Sequence, residues 1–241
     1  PRDQEIDVIH VEDFRLRQLV PLPSTPYSMA HAGNYVAVTL PDSGELLILT
    51  QDSHSVYTSL WLSPVPDVVA AGGAVGLSRE GHAGYRAPKE MASESRTGGM
   101  SGSEAYDSPI NERASRDGAP TAETAETGPT VATQVFVTLS REAGCINIID
   151  ASCLSVLATT SVEDPSNVVA GCHRNPWAFV LHGQGRKVSG IPLDPADPRF
   201  GTVAFTTDLD EPCESLSAGP NGICWGLSVT RKHLHGVDAR N

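Results

Sequence analysis

The sequence predicts an all-β protein, a β-propeller of four-stranded antiparallel blades, and two repeated patterns carry that prediction. One plan is written twice, as "YVAVTLPDSGELLILT" at 35–50 and "VFVTLSREAGCINIID" at 135–150. Each copy runs apolar to V-T-L, breaks for a short polar gap and resumes as a second apolar run. The other pattern is a proline-led segment running into glycine. It occurs as "PYSMAHAG" (26–33), "PDVVAAGG" (66–73), "PSNVVAGC" (165–172) and "PCESLSAG" (212–219). The prolines stand 40, 99 and 47 residues apart.

Residues 77–133 account for the long middle interval. They are rich in Gly, Ser, Ala, Glu and Thr and show no apolar periodicity. Such a segment buries too little apolar surface to offset its ordering entropy. The expectation is a disordered insertion inside one blade of a single propeller domain spanning 1–241. Setting it aside returns the middle interval to the period of the others.

The strands follow in order. "IDVIHV" and "FRLRQLV" read as the third and fourth strands of a partial unit at the N-terminus. Each proline-led segment is a first strand. Second strands are "YVAVTL", "VFVTL", "WAFVLHG" and "ICWGLSV"; third strands are "ELLILT", "CINIID", "KVSGIPLD" and "HLHGVDA". "VYTSLWL", "LSVLATTSV" and "FGTVAFTTD" close three of the units. Apolar residues alternate with period two, or run continuously where both faces are to be buried, and Gly, Pro, Asn or Asp punctuate the gaps. Four strands per 40–47 residues is the signature of a propeller blade. A blade has two apolar faces that only stacking can cover. About four blade-equivalents are present. The ragged ends fit a four-bladed ring closed by pairing the C-terminal strands with the N-terminal ones, or, as favoured here, part of a six-bladed ring.

Composition narrows the function. The chain has 241 residues, 39% of them hydrophobic and only 5% aromatic, with 22 Gly and 18 Pro supplying turns. A formal net charge of −12 argues against DNA and disfavours RNA, since phosphate-backbone binders are basic or carry a basic stripe. No apolar run approaches the ~18–20 residues that span a bilayer. The charged, alternating N-terminus is unlike a signal or transit peptide, and the missing initiator Met reads as a fragment or processed product. Cys145, Cys153, Cys172, Cys213 and Cys224 form no C-x-x-C pair, and no N-x-S/T sequon occurs. They read as mostly buried thiols in a reducing, cytoplasmic compartment.

"VFVTLSREAGCINIIDASCLSVLATTSVEDPSNVVAG" and "WGLSVTRKHLHGVDARN" resemble NHL-type propeller repeats, found in the C-terminal domains of tripartite-motif (TRIM) ubiquitin ligases. They are also similar to the wider Y-V-T-N propeller class. The resemblance covers everything except the insertion, which departs from the family's short turns. It implies a protein- or RNA-binding platform that recruits substrates, with ligase activity in an upstream RING domain. The chain carries neither paired Cys/His zinc ligands nor coiled-coil heptads, so a ligase role would come from sequence outside it.

Candidate contacts fall in the turns between second and third strands. Equivalent turns carry Arg141-Glu142, Arg186-Lys187 and Arg231-Lys232, while the first holds Asp42 and Glu45. Successive turns emerge on one rim, so Arg141, Arg186, Lys187, Arg231 and Lys232 are the candidate partner-binding residues, for an acidic peptide or a phosphate. Charge there also follows from simple exposure of turns.

No catalytic residue, metal or cofactor is expected. Calcium-dependent lactonases and esterases supply an alternative, because some six-bladed propellers have that activity; Asn167, Glu214 and Asn221 would be the oxygen ligands. These residues do not recur at matched positions, and Asn221-Gly222 reads as a hairpin turn. His233 and His235 share one face of a strand, as a metal pair would, but the spacing offers no third ligand. Cys172 and His173 point to opposite faces and cannot act as nucleophile and base. Trp61, Trp177 and Trp225 are expected to fill space between blades.

Overall fold

The computed structural model describes residues 4–74, 133–171, 175–219 and 222–240. β1 (Glu5–Ile9) and β2 (Leu16–Pro21) form a two-stranded sheet. The first full blade is β3 (Ser28–Ala32), β4 (Tyr35–Leu40), β5 (Glu45–Thr50) and β6 (Val56–Trp61). The second is β7 (Val68–Ala74), β8 (Thr133–Ser140), β9 (Cys145–Asp150) and β10 (Val156–Ser161). The third is β11 (Pro165–Ala170), β12 (Trp177–His182), β13 (Lys187–Pro192) and β14 (Phe205–Asp208). A last sheet holds β15 (Ser215–Ala218), β16 (Ile223–Ser228) and β17 (His233–Asp238). Strands pair antiparallel in chain order throughout, matching the sequence reading strand for strand.

β7 and β8 pair in unbroken register from Val68↔Leu139 to Ala74↔Thr133. Residues 75–132 therefore interrupt the chain between the first and second strands of one blade. The expected disordered insertion at 77–133 lies outside the described residues, except for Thr133, which already opens β8.

Continuous apolar runs arise because successive side chains on a strand face opposite sides, and here both sides are covered. On β5, Leu46 and Ile48 join Phe136 and Ile149 of the second blade, whereas Leu47 and Leu49 join Val20 and Leu22 of the N-terminal segment. Phe136 faces the first blade, while Val135, Val137 and Leu139 pack on Val168, Val180 and Ile191 of the third. Phe179, Leu181 and Val188 then meet Leu216, Cys224 and Val237 of the last sheet. One apolar cluster fills each interface, so the core is a linear stack of contacts between neighbours. Complete burial of an aromatic such as Phe136 or Phe179 contributes ~1.5–3 kcal/mol.

The turns between third and fourth strands show the repeat most directly. Phe14, His54 and Leu154 all adopt positive φ (54°, 50° and 56°). Their amides donate to the carbonyls of His10, Thr50 and Asp150 at 2.8, 3.0 and 2.8 Å. The same turn thus joins β1 to β2, β5 to β6 and β9 to β10. β1 and β2 are the outer pair of a blade, as their position in the period predicts.

β1 is therefore a third-position strand, and so is β17. No ladder joins β1–β2 to β15–β17 among the described residues. The two sheets duplicate one role, and the described residues form no strand-paired four-bladed ring. The outer face of the last sheet leaves Trp225, Leu227 and Leu234 exposed. Trp225 consequently fills no inter-blade space. Trp61 does not either: it ends its blade's outermost strand and is 71% exposed. Trp177 does pack internally, with its ring 5.7 Å from that of Phe205.

Candidate functional site: the rim of second-to-third-strand turns

The four turns 41–44, 141–144, 183–186 and 229–232 lie at one end of their sheets. In three sheets, an acid immediately before the first strand fastens the turn. Asp67 Oδ2 accepts a hydrogen bond from Arg141 N (2.7 Å), Asp164 Oδ2 from Gln184 N (3.2 Å) and Glu214 Oε2 from Val229 N (2.7 Å). Glu214 Oε1 also accepts from Thr230 Oγ1 at 2.9 Å. The Val229 N–H and the Thr230 hydroxyl together hold the Glu214 carboxyl below the usual carboxylate range. In the first blade Tyr27 stands at the equivalent position, and the Arg141 guanidinium of the next blade lies over its ring, 4.9 Å from the centroid.

The five candidate cations separate into two groups. Arg141 is half-buried, held by Asp67 (3.8 Å) and Tyr27, and braces the rim. Lys187 opens β13, exposed and 4.0 Å from Asp208 across the ladder. Arg186, Arg231 and Lys232 are exposed and have no ion-pair partner among the described residues. Two aromatics also stand on this rim: Tyr27, which the sequence did not single out, and Trp61, which it placed between blades. Tyr27 is 58% exposed, and Trp61 pairs with Glu45, directly after the turn 41–44. Both flank the loop that leads into a first strand, which is the signal that would have found them.

Two of the three alternative oxygen ligands are already engaged. Asn167 Oδ1 accepts from Val168 N at 2.8 Å, and both Glu214 oxygens hold the 229–232 turn. Asn221, Cys172 and His173 lie outside the described residues. His233 and His235 acquire a third neighbour that their spacing does not show: Glu211, whose Oε2 is 3.0 Å from His233 Nδ1.

Cys145, Cys213 and Cys224 are buried, and Cys153 is exposed. Burial raises the Cys145 and Cys213 thiols and pushes Cys224 up to about 12, so all three stay protonated near neutrality and are poor nucleophiles. His182 is buried at the end of β12, with Nε2 2.9 Å from Ser189 Oγ, which in turn lies 2.7 Å from Thr206 Oγ1. Desolvation lowers its pKa.

The sequence matches no protein-family model and no curated protein. The structure is similar to the WD40 repeats of RRP9, with a TM-score of 0.54 at 12% identity, covering 93% of this chain and 51% of that one. It is also similar to BBS1N, solved in complex with ARL6DN (TM-score 0.52, 11% identity, covering 93% and 56%). The fold is a β-propeller. The dihydro-heme d1 dehydrogenase NirN is similar as well, at TM-score 0.52 and 10% identity, covering 99% of this propeller chain and 40% of NirN. The chain spans about half the length of the first two and less of the third. One architecture thus occurs in proteins of very different description, and function has to be argued from the site. Nothing in these likenesses singles out NHL repeats among propellers.

Proposed function

We propose that this propeller is a non-catalytic protein-interaction platform whose docking face is the rim of second-to-third-strand turns. The observation that carries this reading is that exposed aromatics, Tyr27 and Trp61 of the first blade, and exposed cations, Arg186 of the third blade and Arg231 and Lys232 of the last sheet, stand at the same end of their sheets. Tyr, Trp and Arg supply most of the energy at protein interfaces, through large amphipathic area and bidentate hydrogen bonding. An acidic, partly apolar segment is the partner chemistry that fits. The net charge of −12 favours such a local contact over RNA, which would need a continuous basic track.

At a finer level, the resemblance to NHL repeats supports a substrate-recruiting propeller of a tripartite-motif-type ubiquitin ligase in the cytoplasm. The buried thiols agree with a reducing compartment. The calcium-dependent hydrolase reading has less support, because Asn167 and Glu214 spend their oxygens on backbone and hydroxyl donors.

The test is a comparative pull-down. The chain with Trp61→Ser, Arg186→Glu, Arg231→Glu and Lys232→Glu is set beside the unaltered chain and beside Phe14→Ser, a change at the opposite end of the strands. Loss of specific partners with the rim variant alone supports the platform. Identical partner sets in all three, or calcium-dependent ester hydrolysis, would overturn it.

A further inference from the structure

We infer that Glu211, His233 and His235 form a binding site for a divalent transition-metal ion of the zinc type. Each residue offers one ligand atom, and these atoms all lie within 4.8 Å of one another. The His233 and His235 rings meet edge to face, 6.4 Å between centroids. His235 Nε2 is buried and has no hydrogen-bond partner among the described residues. A buried imidazole nitrogen left without a partner is unfavourable, and a coordinated ion would remove that cost.

The chain builds this cluster from two directions. On edge strand β17, His233 and His235 stand two residues apart and share a face. Their cross-strand neighbours on β16 are Ser228 and Gly226, both small, and the space over Gly226 is taken by Cys213 and Leu216. Glu211 comes from the loop between β14 and β15. That loop is fixed by backbone bonds from Leu209 N to Arg186 O (2.7 Å) and from Cys213 N to Gly185 O (2.8 Å). Gly185 makes the approach possible: its φ is +78°, and a Cβ there would sit 2.3 Å from the Cys213 carbonyl oxygen. The acid therefore arrives at the histidine pair on a tethered loop.

The donor set selects the ion. Two imidazoles and one carboxylate suit Zn²⁺, Co²⁺ or Ni²⁺, whereas Ca²⁺ and Mg²⁺ prefer six or more oxygens. Three protein ligands leave a fourth position, which opens to solvent beside His233, whose side chain is 61% exposed. Tetrahedral zinc would separate its donors by roughly 3.3 Å, so the 3.0 Å between His233 Nδ1 and Glu211 Oε2 needs only a small adjustment. The bound ion would link the loop after the third blade to the terminal strand of the last sheet.

The experiment titrates the tag-free full chain with Co²⁺, followed by visible d–d absorption, and with Zn²⁺ by calorimetry. One equivalent should bind. His235→Ala and Glu211→Gln should each weaken binding by at least about tenfold, with thermal unfolding in EDTA close to that of the unaltered chain. His233→Gln, at an exposed position, repeats the test should His235→Ala fail to fold. Substoichiometric binding, or an affinity unchanged by Glu211→Gln and His233→Gln, would overturn the site and leave Glu211–His233 as a simple surface ion pair. Neither result bears on the docking rim, which is read out by partner recovery.

Discussion

The Asp67 carboxylate accepts a 2.7 Å hydrogen bond from the backbone N–H of Arg141, a residue 74 positions further along the chain. The contact fastens the turn after β8 to the residue before β7. Asp164 and Glu214 repeat it in the next two sheets. Asp67→Ala should lower stability by about 1–2 kcal/mol in chemical denaturation, the range for losing a partly exposed charge-assisted bond. Asp67→Asn keeps an acceptor and should cost less than half as much.

Phe14 sits at φ 54° and is 81% exposed, so its side chain contributes strain and little packing. Phe14→Gly relieves the left-handed conformation. The expected result is unchanged or slightly raised stability, by no more than about 1 kcal/mol. A clear loss would show that the ring packs in solution.

Gly185 is the opposite case, because its would-be Cβ meets backbone. Gly185→Ala should destabilise by more than about 1 kcal/mol, moving the 209–214 loop or the turn beneath it. Differential scanning calorimetry would measure the loss.

His182 links stability to pH. Its folded-state pKa is lowered by desolvation, which outweighs the raising effect of a backbone hydrogen bond at Glu163; Lys187 adds a smaller lowering effect, and the Asp164 and Glu163 charges smaller raising ones. The unfolded chain therefore takes up a proton first, at about pH 6.5. Stability is full above that value and declines as pH falls through it toward the lower folded-state pKa. Thermal midpoints measured from pH 7.5 to 5 should fall, and His182→Gln should flatten that part of the profile.

On the rim, Trp61→Ser combined with Arg231→Glu and Lys232→Glu should leave unfolding within about 0.5 kcal/mol per exposed site. Affinity for the cognate partner should drop by about thirtyfold or more, the scale of losing interface anchors. Calorimetric titration with that partner supplies the measurement.

The strands were legible because their chemistry is local. Continuous runs such as Leu46–Leu49 report directly that a strand buries both faces. The fasteners were not legible. Asp67 and Asp164 have different sequence neighbours, the third acid is Glu214, and Tyr27 takes the same place in the first blade, so no motif marks the position. Arg141 reads as a free rim cation until folding brings Asp67 and Tyr27 to it. Trp225 carries the same pattern as buried residues, and its exposure depends on the absence of a stacked neighbour among the described residues. Glu211 lies 22 residues from His233, in a loop whose path is set by Gly185.

The uninterrupted β7–β8 register has a practical consequence. Full register from Val68 to Ala74 is kept although residues 75–132 stand between the two strands. The far end of the same hairpin is clamped by Asp67, so the join between Ala74 and Thr133 serves as a splice port. A compact reporter with adjacent termini could be grafted there and carried as cargo, with the sheet beneath it zipped as before.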